Sequence, residues 1–100
     1  MPTLSRKANG NIAEAARLRG LASKRNLLNK YHYYTRRHDF AHFMQSATVT
    51  QRAVMERYMN SDVTFADLAK EMNQDPSELR ALFVKGMQAT IEAMTEAHLG

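Results

Sequence analysis

Residues 64–85, with the sequence TFADLAKEMNQDPSELRALFVK, constrain the fold more strongly than any other stretch of the chain. Pro76 disfavours helical backbone at the residue before it, so we expect two helices here with a turn between them. The Thr64 hydroxyl can accept from a free amide in the first turn of the first helix. The second helix has Asp75 as its N-cap, Pro76 at the first helical position and Glu78 placed to complete a capping box.

The turn and the apolar spacing support the same interpretation. Asn73 is the residue that best tolerates the left-handed backbone that such a turn needs. Asp67, three residues after the predicted cap, is favourably placed against the dipole of the first helix. Apolar residues recur at helical spacing on both helices, at Phe65, Leu68, Ala69 and Met72 on the first and at Leu79, Leu82, Phe83 and Met87 on the second.

This stretch resembles the helix-turn-helix of DNA-binding regulators, and is most similar to LuxR-type C-terminal domains and sigma factor region 4. Leu68-Ala69 matches the pair in the middle of the first helix, where a small residue lets the second helix cross closely. Met72 matches the apolar residue that closes that helix, and Leu79 and Leu82 match the anchors of the second helix. The resemblance covers about half the chain.

The segment before it, residues 50–59, resembles the supporting helix that packs behind the motif. The chain departs from the family pattern at Asn73, where Gly is usual, and at Gln74, where the family has a buried aliphatic residue. The resemblance implies a tri-helical domain that docks on DNA with the exposed positions of its second helix. Matched residue by residue, the candidate DNA-binding side chains there are Ser77, Arg80 and Lys85, with Ala81 and Val84 on the same face.

The rest of the chain is also expected to be helical. Thr48 or Thr50 can cap the supporting helix, whose apolar face holds Val54, Met55, Tyr58 and Met59. Residues 11–30 are expected to form one bent helix, two short helices or a segment that orders only on its partner, because Gly20 interrupts the pattern. The fold class expected is therefore all-α, a small bundle of about four to five helices. We divide it into a flexible basic arm (1–10), a basic helical segment (11–47) and a helix-turn-helix domain (48–100).

The positive charge of the chain is concentrated in its first part. Residues 1–40 hold nine Lys or Arg and two acidic residues, a net charge of +7. Residues 41–100 hold five basic and eight acidic residues, a net charge of −3, and the two sum to +4. Such a polarised chain points to an acidic partner, of which nucleic acid is the commonest. The candidate phosphate-binding residues are Arg6, Lys7, Arg17, Arg19, Lys24, Arg25, Lys30, Arg36 and Arg37.

Residues 31–47, YHYYTRRHDFAHFMQSA, place tyrosines beside arginines. Tyrosine hydroxyls and guanidinium groups bind phosphates, and tyrosine rings can stack on unpaired bases, so Tyr33 and Tyr34 are added to the nucleic-acid-binding candidates. The alternative is that the basic residues of this segment are simply solvated. Its apolar residues, which we expect to face the core, are Phe40, Phe43 and Met44.

Several classes of protein do not fit this sequence. It has no cysteine, no Gly-rich phosphate loop and no nucleophile with a base and an orienting partner, so we predict neither an enzyme nor a cofactor. The pattern His38-Asp39-x-x-His42 resembles a zinc-protease helix, but Asp is shorter than the usual Glu and no third ligand follows, so no metal is predicted. No apolar run is long enough to span a membrane, and we expect a cytoplasmic protein of a bacterium or phage-infected cell.

Three hypotheses for function remain open at this stage. The first is a small transcriptional regulator of phage or plasmid type that binds nucleic acid, chiefly duplex DNA. The second is a protein-binding adaptor or inhibitor that docks on RNA polymerase or another DNA-processing machine. The third is a helical packaging component. An apolar stripe beyond the helix-turn-helix is expected to pack on the first helix of the same chain or on a second copy in a homodimer, through Met87, Ile91 and Met94.

Overall fold

The computed structural model describes the backbone of residues 2–99 and the side chains of residues 12–98. Six α-helices follow one another in this part of the chain, and the described backbone contains no strand, which confirms the all-α bundle. A 3₁₀ turn, Met44–Ser46, lies between the third and fourth helices. The helices are α1 (Pro2–Lys30), α2 (His32–Thr35), α3 (Phe40–Phe43), α4 (Val49–Asn60), α5 (Phe65–Met72) and α6 (Pro76–Leu99).

The predicted caps at three helix ends are confirmed. Thr48 and Thr64 both form complete capping boxes, with Gln51 and Asp67 respectively. Asn73 closes α5 in the left-handed conformation, with φ 53° and ψ 48°, and its amide donates to the carbonyl oxygen of Ala69. These caps bind the free amides and carbonyls of helix ends that the helices themselves cannot satisfy.

Asp75 caps α6 as predicted, but the capping partner differs. The Asp75 carboxylate accepts from both the amide and the hydroxyl of Ser77, at 2.8 and 2.6 Å. The Glu78 amide donates instead to the main-chain oxygen of Asp75 at 3.1 Å. Ser77 offers two donors to the same carboxylate oxygen, so the cap forms with Ser77 and not with the predicted Glu78.

One hydrophobic core joins α4, α5 and α6 to the segment before them. The Tyr58 ring stacks on Phe65 with centroids 4.0 Å apart and meets the edge of Phe83 at 5.1 Å. Residues 31–47 contribute to the same core, including the predicted Phe40 and Met44, so the core crosses the predicted domain boundary between residues 47 and 48. Its buried members are Tyr31, Phe40, Met44, Ala47, Val54, Met55, Tyr58, Leu68, Leu79, Phe83, Met87 and Met94.

The long helix α6 crosses α4 closely at Gly86. A Cβ atom at Gly86 would lie 2.5 Å from Met55 Sδ and 3.1 Å from Gln51 Cβ. The Thr90 hydroxyl, fully buried, donates to the Gly86 carbonyl oxygen at 2.8 Å. Gly86 is therefore a contact point between two helices, which a sequence pattern alone cannot distinguish from a weak point in one helix.

The apolar stripe of α6 is covered within the same chain. Met87 and Met94 are 0% and 2% exposed, and Ile91 is half-buried against the core. Helix α6 packs on α3 and on the 3₁₀ turn, in addition to α4 and α5. Met87 and Met94 are therefore buried within the chain and are not available for the predicted dimer contact, whereas Ile91 is partly exposed.

Helix α1 is continuous from Pro2, whereas the sequence predicted a loose arm up to Gly10 and a helix from Asn11. Proline at the first helical position is compatible with this start, because its missing N–H is one of the amides that a helix leaves free. At 1.5 Å per residue α1 is about 43 Å long. It gives the molecule its elongated dimensions of 67 × 26 × 17 Å.

Gly20 does not break α1. A Cβ atom at this position would lie 3.0 Å from the Thr64 methyl group, so the glycine lets α1 pass close to the N-terminus of α5. The sequence left open one bent helix, two short helices or a segment that orders only on its partner, and the structure has one helix. The role of Gly20 in that helix is its tertiary contact with Thr64.

Candidate nucleic-acid interface

Lys24 fixes α1 to the rest of the molecule. It is 8% exposed, and its ammonium group donates to the main-chain oxygens of Ser61 and of Val63, the latter at 2.8 Å. It also lies 4.6 Å from the centre of the Tyr58 ring. Burial lowers the pKa of Lys24, and the nearby charges of Asp62 and Asp67 oppose that shift. Lys24 was predicted to bind nucleic acid, but its donors are used inside the protein, so we assign it a structural role.

The other described cations of α1 face solvent. The structure has two ion pairs among residues 12–98, Arg37 with Asp39 and Arg57 with Glu71, and neither involves α1. The exposed basic residues of α1 are Arg17, Arg19, Arg25 and Lys30. No described carboxylate lies within ion-pairing distance of these residues or of Arg36. The side chains of Arg6 and Lys7, also predicted to bind phosphate, lie outside the described residues.

The predicted tyrosines line a cleft of about 380 Å³ between α2 and the C-terminal part of α6, which we call the tyrosine cleft. The rings of Tyr33 and Tyr34 meet edge to face, with centroids 5.2 Å apart and planes at 89°. Tyr33 is 59% exposed and Tyr34 is half-buried against the core. The cleft is lined by Tyr33, Tyr34, Arg37, Met94, Thr95 and His98.

Arg37 links the two walls of the tyrosine cleft. Its Nη2 lies 2.7 Å from His98 Nε2, and its Nε and Nη2 donate to the Asp39 carboxylate at 3.2 and 3.4 Å. Since a guanidinium group can only donate, Nε2 of His98 accepts and its proton sits on Nδ1. The hydrogen bond to Asp39 raises the pKa of Arg37, with a smaller contribution from Tyr33, and Arg37 in turn lowers the pKa of Asp39.

The three residues predicted on α6 occupy different environments. Ser77 is exposed, but its hydroxyl donates to Asp75. Arg80 lines a groove with Gly20 and Leu27, so it lies beside α1. Lys85 is exposed on the solvent side of α6. The structure thus brings Arg80 next to the basic helix and leaves Lys85 apart from it.

His98 and Thr95 belong to the tyrosine cleft, although no sequence pattern singles them out. His98 follows Met94 by four positions, so it lies on the same side of α6 one turn later, whereas Thr95 is the next residue along the helix. Only the packing of α2 against the end of α6 brings them to Arg37, which is 61 positions before His98.

The structure also bears on metal binding and membrane insertion. The described residues contain no group of three His, Asp or Glu side chains placed to hold a metal ion. In the His38–His42 segment, Asp39 is paired with Arg37 and α3 begins only at Phe40. None of the described helices combines the length and the apolar character needed to cross a bilayer.

Comparison with protein-family models, with curated proteins and with solved structures finds no match for this chain.

Proposed function

We propose that this protein binds nucleic acid, and that the exposed cations of α1, together with Arg36 after α2, make the main phosphate contacts. The observation that carries the proposal is the set of solvent-facing basic residues on α1 without a described ionic partner. The described ion pairs, Arg37 with Asp39 and Arg57 with Glu71, leave these basic residues without a carboxylate partner in the described part of the chain. A polyanion supplies the missing counter-charge, and the release of its counterions drives binding.

The dimensions of α1 suit a nucleic-acid backbone. From Arg17 to Lys30 the helix advances about 20 Å. That is the length of about six base steps of duplex DNA at 3.4 Å per step. Arg36 extends the same series into the segment beyond α1. We therefore propose that duplex DNA lies along α1. On this proposal the protein acts in the cytoplasm.

The α5–α6 unit has a second role in this proposal. Its resemblance to the helix-turn-helix of LuxR-type regulators and sigma factor region 4 supports a small transcriptional regulator of phage or plasmid type. Arg80 lies beside α1 and can extend the phosphate contacts of that helix. The outward face of α6 holds few donors for base edges, so α6 supplies the framework and α1 supplies the affinity.

A titration of labelled duplex DNA across a range of salt concentrations tests the proposal. We expect log Kd to change linearly with log salt, and the slope to fall by about 1 for each phosphate contact removed. Arg19→Gln and Lys30→Gln should each weaken binding and reduce that slope. Lys70→Gln, which removes one exposed charge from α5, is the matched control and should do neither. Absence of binding at low salt, or equal effects of all three variants, would falsify the proposal.

A second candidate function, an adaptor for RNA polymerase or another DNA-processing machine, is favoured by a different observation. Two large apolar side chains of α1, Ile12 and Leu18, are 65% and 58% exposed. Such residues are typical anchors for a protein partner. A binding assay with purified, nuclease-treated polymerase distinguishes the two functions. An adaptor should bind the polymerase without DNA, and the double substitution Ile12→Gln with Leu18→Gln should abolish that binding.

A further inference from the structure

We infer that the tyrosine cleft holds one unpaired base of a DNA strand whose duplex part lies along α1. The inference rests on the proposed function and extends it, because it gives the protein a preference for junctions between duplex and single-stranded DNA. It follows from the shape of the cleft, from the freedom of Tyr33 and from the way Arg37 is held.

The cleft has the size and lining that a base requires. Its volume of about 380 Å³ lies in the lower part of the range of roughly 300–1,000 Å³ that small-molecule sites occupy. Met94, Tyr33 and Tyr34 give it apolar and aromatic walls, and Thr95 and Arg37 place polar groups at its edge. A flat heterocycle with polar edges matches this combination.

Tyr33 is free to stack on a ligand. Its ring is 59% exposed, and the only aromatic ring packed against it is the edge-to-face neighbour Tyr34 among the described side chains. Tyr34 is held by the core, so it fixes the position of Tyr33 without covering both of its faces. A tyrosine face held in this way is a stacking platform, and bases of any sequence can use it.

The state of Arg37 favours a base over a free phosphate. Asp39 neutralises its charge, and His98 accepts one of its hydrogen bonds at 2.7 Å. The net charge around the cleft is therefore close to zero, which leaves little attraction for a phosphate dianion. The remaining guanidinium N–H groups and the Thr95 hydroxyl can still bind the carbonyl oxygens and ring nitrogens of a base.

The place of the cleft in the chain connects it to α1. Helix α2 begins two residues after α1 ends, and Arg36 follows α2 directly. A DNA strand that follows the cations of α1 past Lys30 thus reaches α2, which carries Tyr33 and Tyr34.

Three labelled duplexes of equal paired length test the inference: one with blunt ends, one with a three-nucleotide overhang, and one with the same overhang made of abasic nucleotides. We expect the overhang to lower Kd about tenfold, since one of its bases can stack on the Tyr33 ring. The abasic overhang keeps the phosphates but lacks bases, so it should behave as the blunt duplex does. The ratio of Kd for the blunt duplex to Kd for the overhang duplex should also be the same at low and at high salt.

Variants locate the effect in the cleft. Tyr33→Ala should remove the gain from the overhang and leave blunt-duplex binding unchanged, whereas Tyr33→Phe should keep both. A 2-aminopurine at the first unpaired position gives a second readout, because its fluorescence should be quenched by the wild-type protein and by Tyr33→Phe. Thr95→Val removes a hydroxyl that can bind the edge of the base but leaves the Tyr33 ring in place. It should therefore reduce the gain in affinity from the overhang without abolishing it.

The outcomes separate this inference from the proposed function. If no duplex binds, both fail. If the blunt duplex binds and the overhang adds nothing, or the abasic overhang gives the same gain, only the base-binding inference is overturned. Tyr33→Ala could instead weaken binding to the blunt and the overhang duplex alike while the helical circular dichroism stays intact. That result would mean that Tyr33 contacts the duplex, and it would also overturn the base-binding inference.

Discussion

Lys24 Nζ donates to the main-chain oxygen of Val63 at 2.8 Å, across 39 positions of sequence. The bond ties the centre of the basic helix to the turn that precedes the N-cap of α5. It has a consequence for function as well as for the fold, because the orientation of every other cation on α1 depends on where Lys24 holds that helix.

Replacement of Lys24 is therefore expected to destabilise the protein. Lys24→Met keeps much of the apolar stem but leaves the carbonyl oxygens of Ser61 and Val63 without this donor, which should lower the free energy of unfolding by about 1–3 kcal/mol. Urea unfolding followed by circular dichroism measures the change. Arg25→Met, at the exposed neighbouring position, is the control and should stay within about 0.5 kcal/mol of wild type. Equal stability of the two variants would mean that Lys24 does not hold α1.

The close crossing of α4 and α6 predicts the effect of a small substitution. Gly86→Ala adds a methyl group 2.5 Å from Met55 Sδ, so Met55 or α4 must move. We expect a loss of about 1–3 kcal/mol from overpacking, although alanine by itself favours a helix by about 1 kcal/mol over glycine. The measurement is thermal and urea unfolding, with Gln88→Ala on the exposed side of α6 as control. In a Met55→Ala background the same substitution should cost less, and an equal cost there would contradict this explanation.

Acid should weaken the cap of α5. The amide of Thr64 donates to the Asp67 carboxylate at 2.9 Å, and this hydrogen bond holds the pKa of Asp67 below its ordinary value of 3.8. Since the folded pKa is the lower one, the stabilisation is fully present above pH 3.8 and is lost as the pH falls through the lowered folded value. Unfolding free energies measured between about pH 6 and about pH 2 should show this loss.

Asp67→Asn isolates that contribution. The variant should be less stable than wild type near neutral pH and should lose less stability on acidification, because the titrating group is gone. Glu92→Gln removes one exposed carboxylate from α6 and serves as the control, with an acid dependence like that of wild type. A parallel pH profile for Asp67→Asn and wild type would show that the capping carboxylate is not the source.

Two residues of α6 are expected to differ in nucleic-acid binding. Arg80 lies beside α1 and Lys85 stands apart from it, so Arg80→Gln should weaken duplex binding uniformly across DNA sequences and Lys85→Gln should leave it unchanged. If α6 instead enters the major groove, both substitutions weaken binding and the loss depends on the DNA sequence. Competition between two unrelated duplexes for each variant decides between these outcomes.

The features that sequence reasoning predicted correctly are local ones. The N-caps at Thr48 and Thr64 and the left-handed turn at Asn73 each involve residues within four positions of one another. Their hydrogen bonds close within a single turn of chain, so the residue types there indicate the cap, although at Asp75 they did not identify Ser77 as its partner. The same holds for the all-α fold class and for the concentration of positive charge before residue 40, which is a property of composition.

The candidate site was predictable only in part. The tyrosines, Arg36 and Arg37 are noticeable as a cluster within a few residues. Arg37 meets His98 only because the segment after α2 lies beside the end of α6, and a local pattern carries no information about that contact. Lys24 is indistinguishable in sequence from the exposed cations around it, since its burial depends on a turn that lies 37 to 39 positions later.

By itself, the sequence determined which segments are helical at their capped ends, where α5 turns into α6, and that the first part of the chain is basic. The tertiary structure decided which cations stay exposed, what Gly20 and Gly86 lie close to, and that Met87 and Met94 are buried within the chain. The physical reason is range. Caps and turns are satisfied by neighbours along the chain, whereas burial of Lys24, the glycine crossings and the tyrosine cleft arise from helices that meet across it.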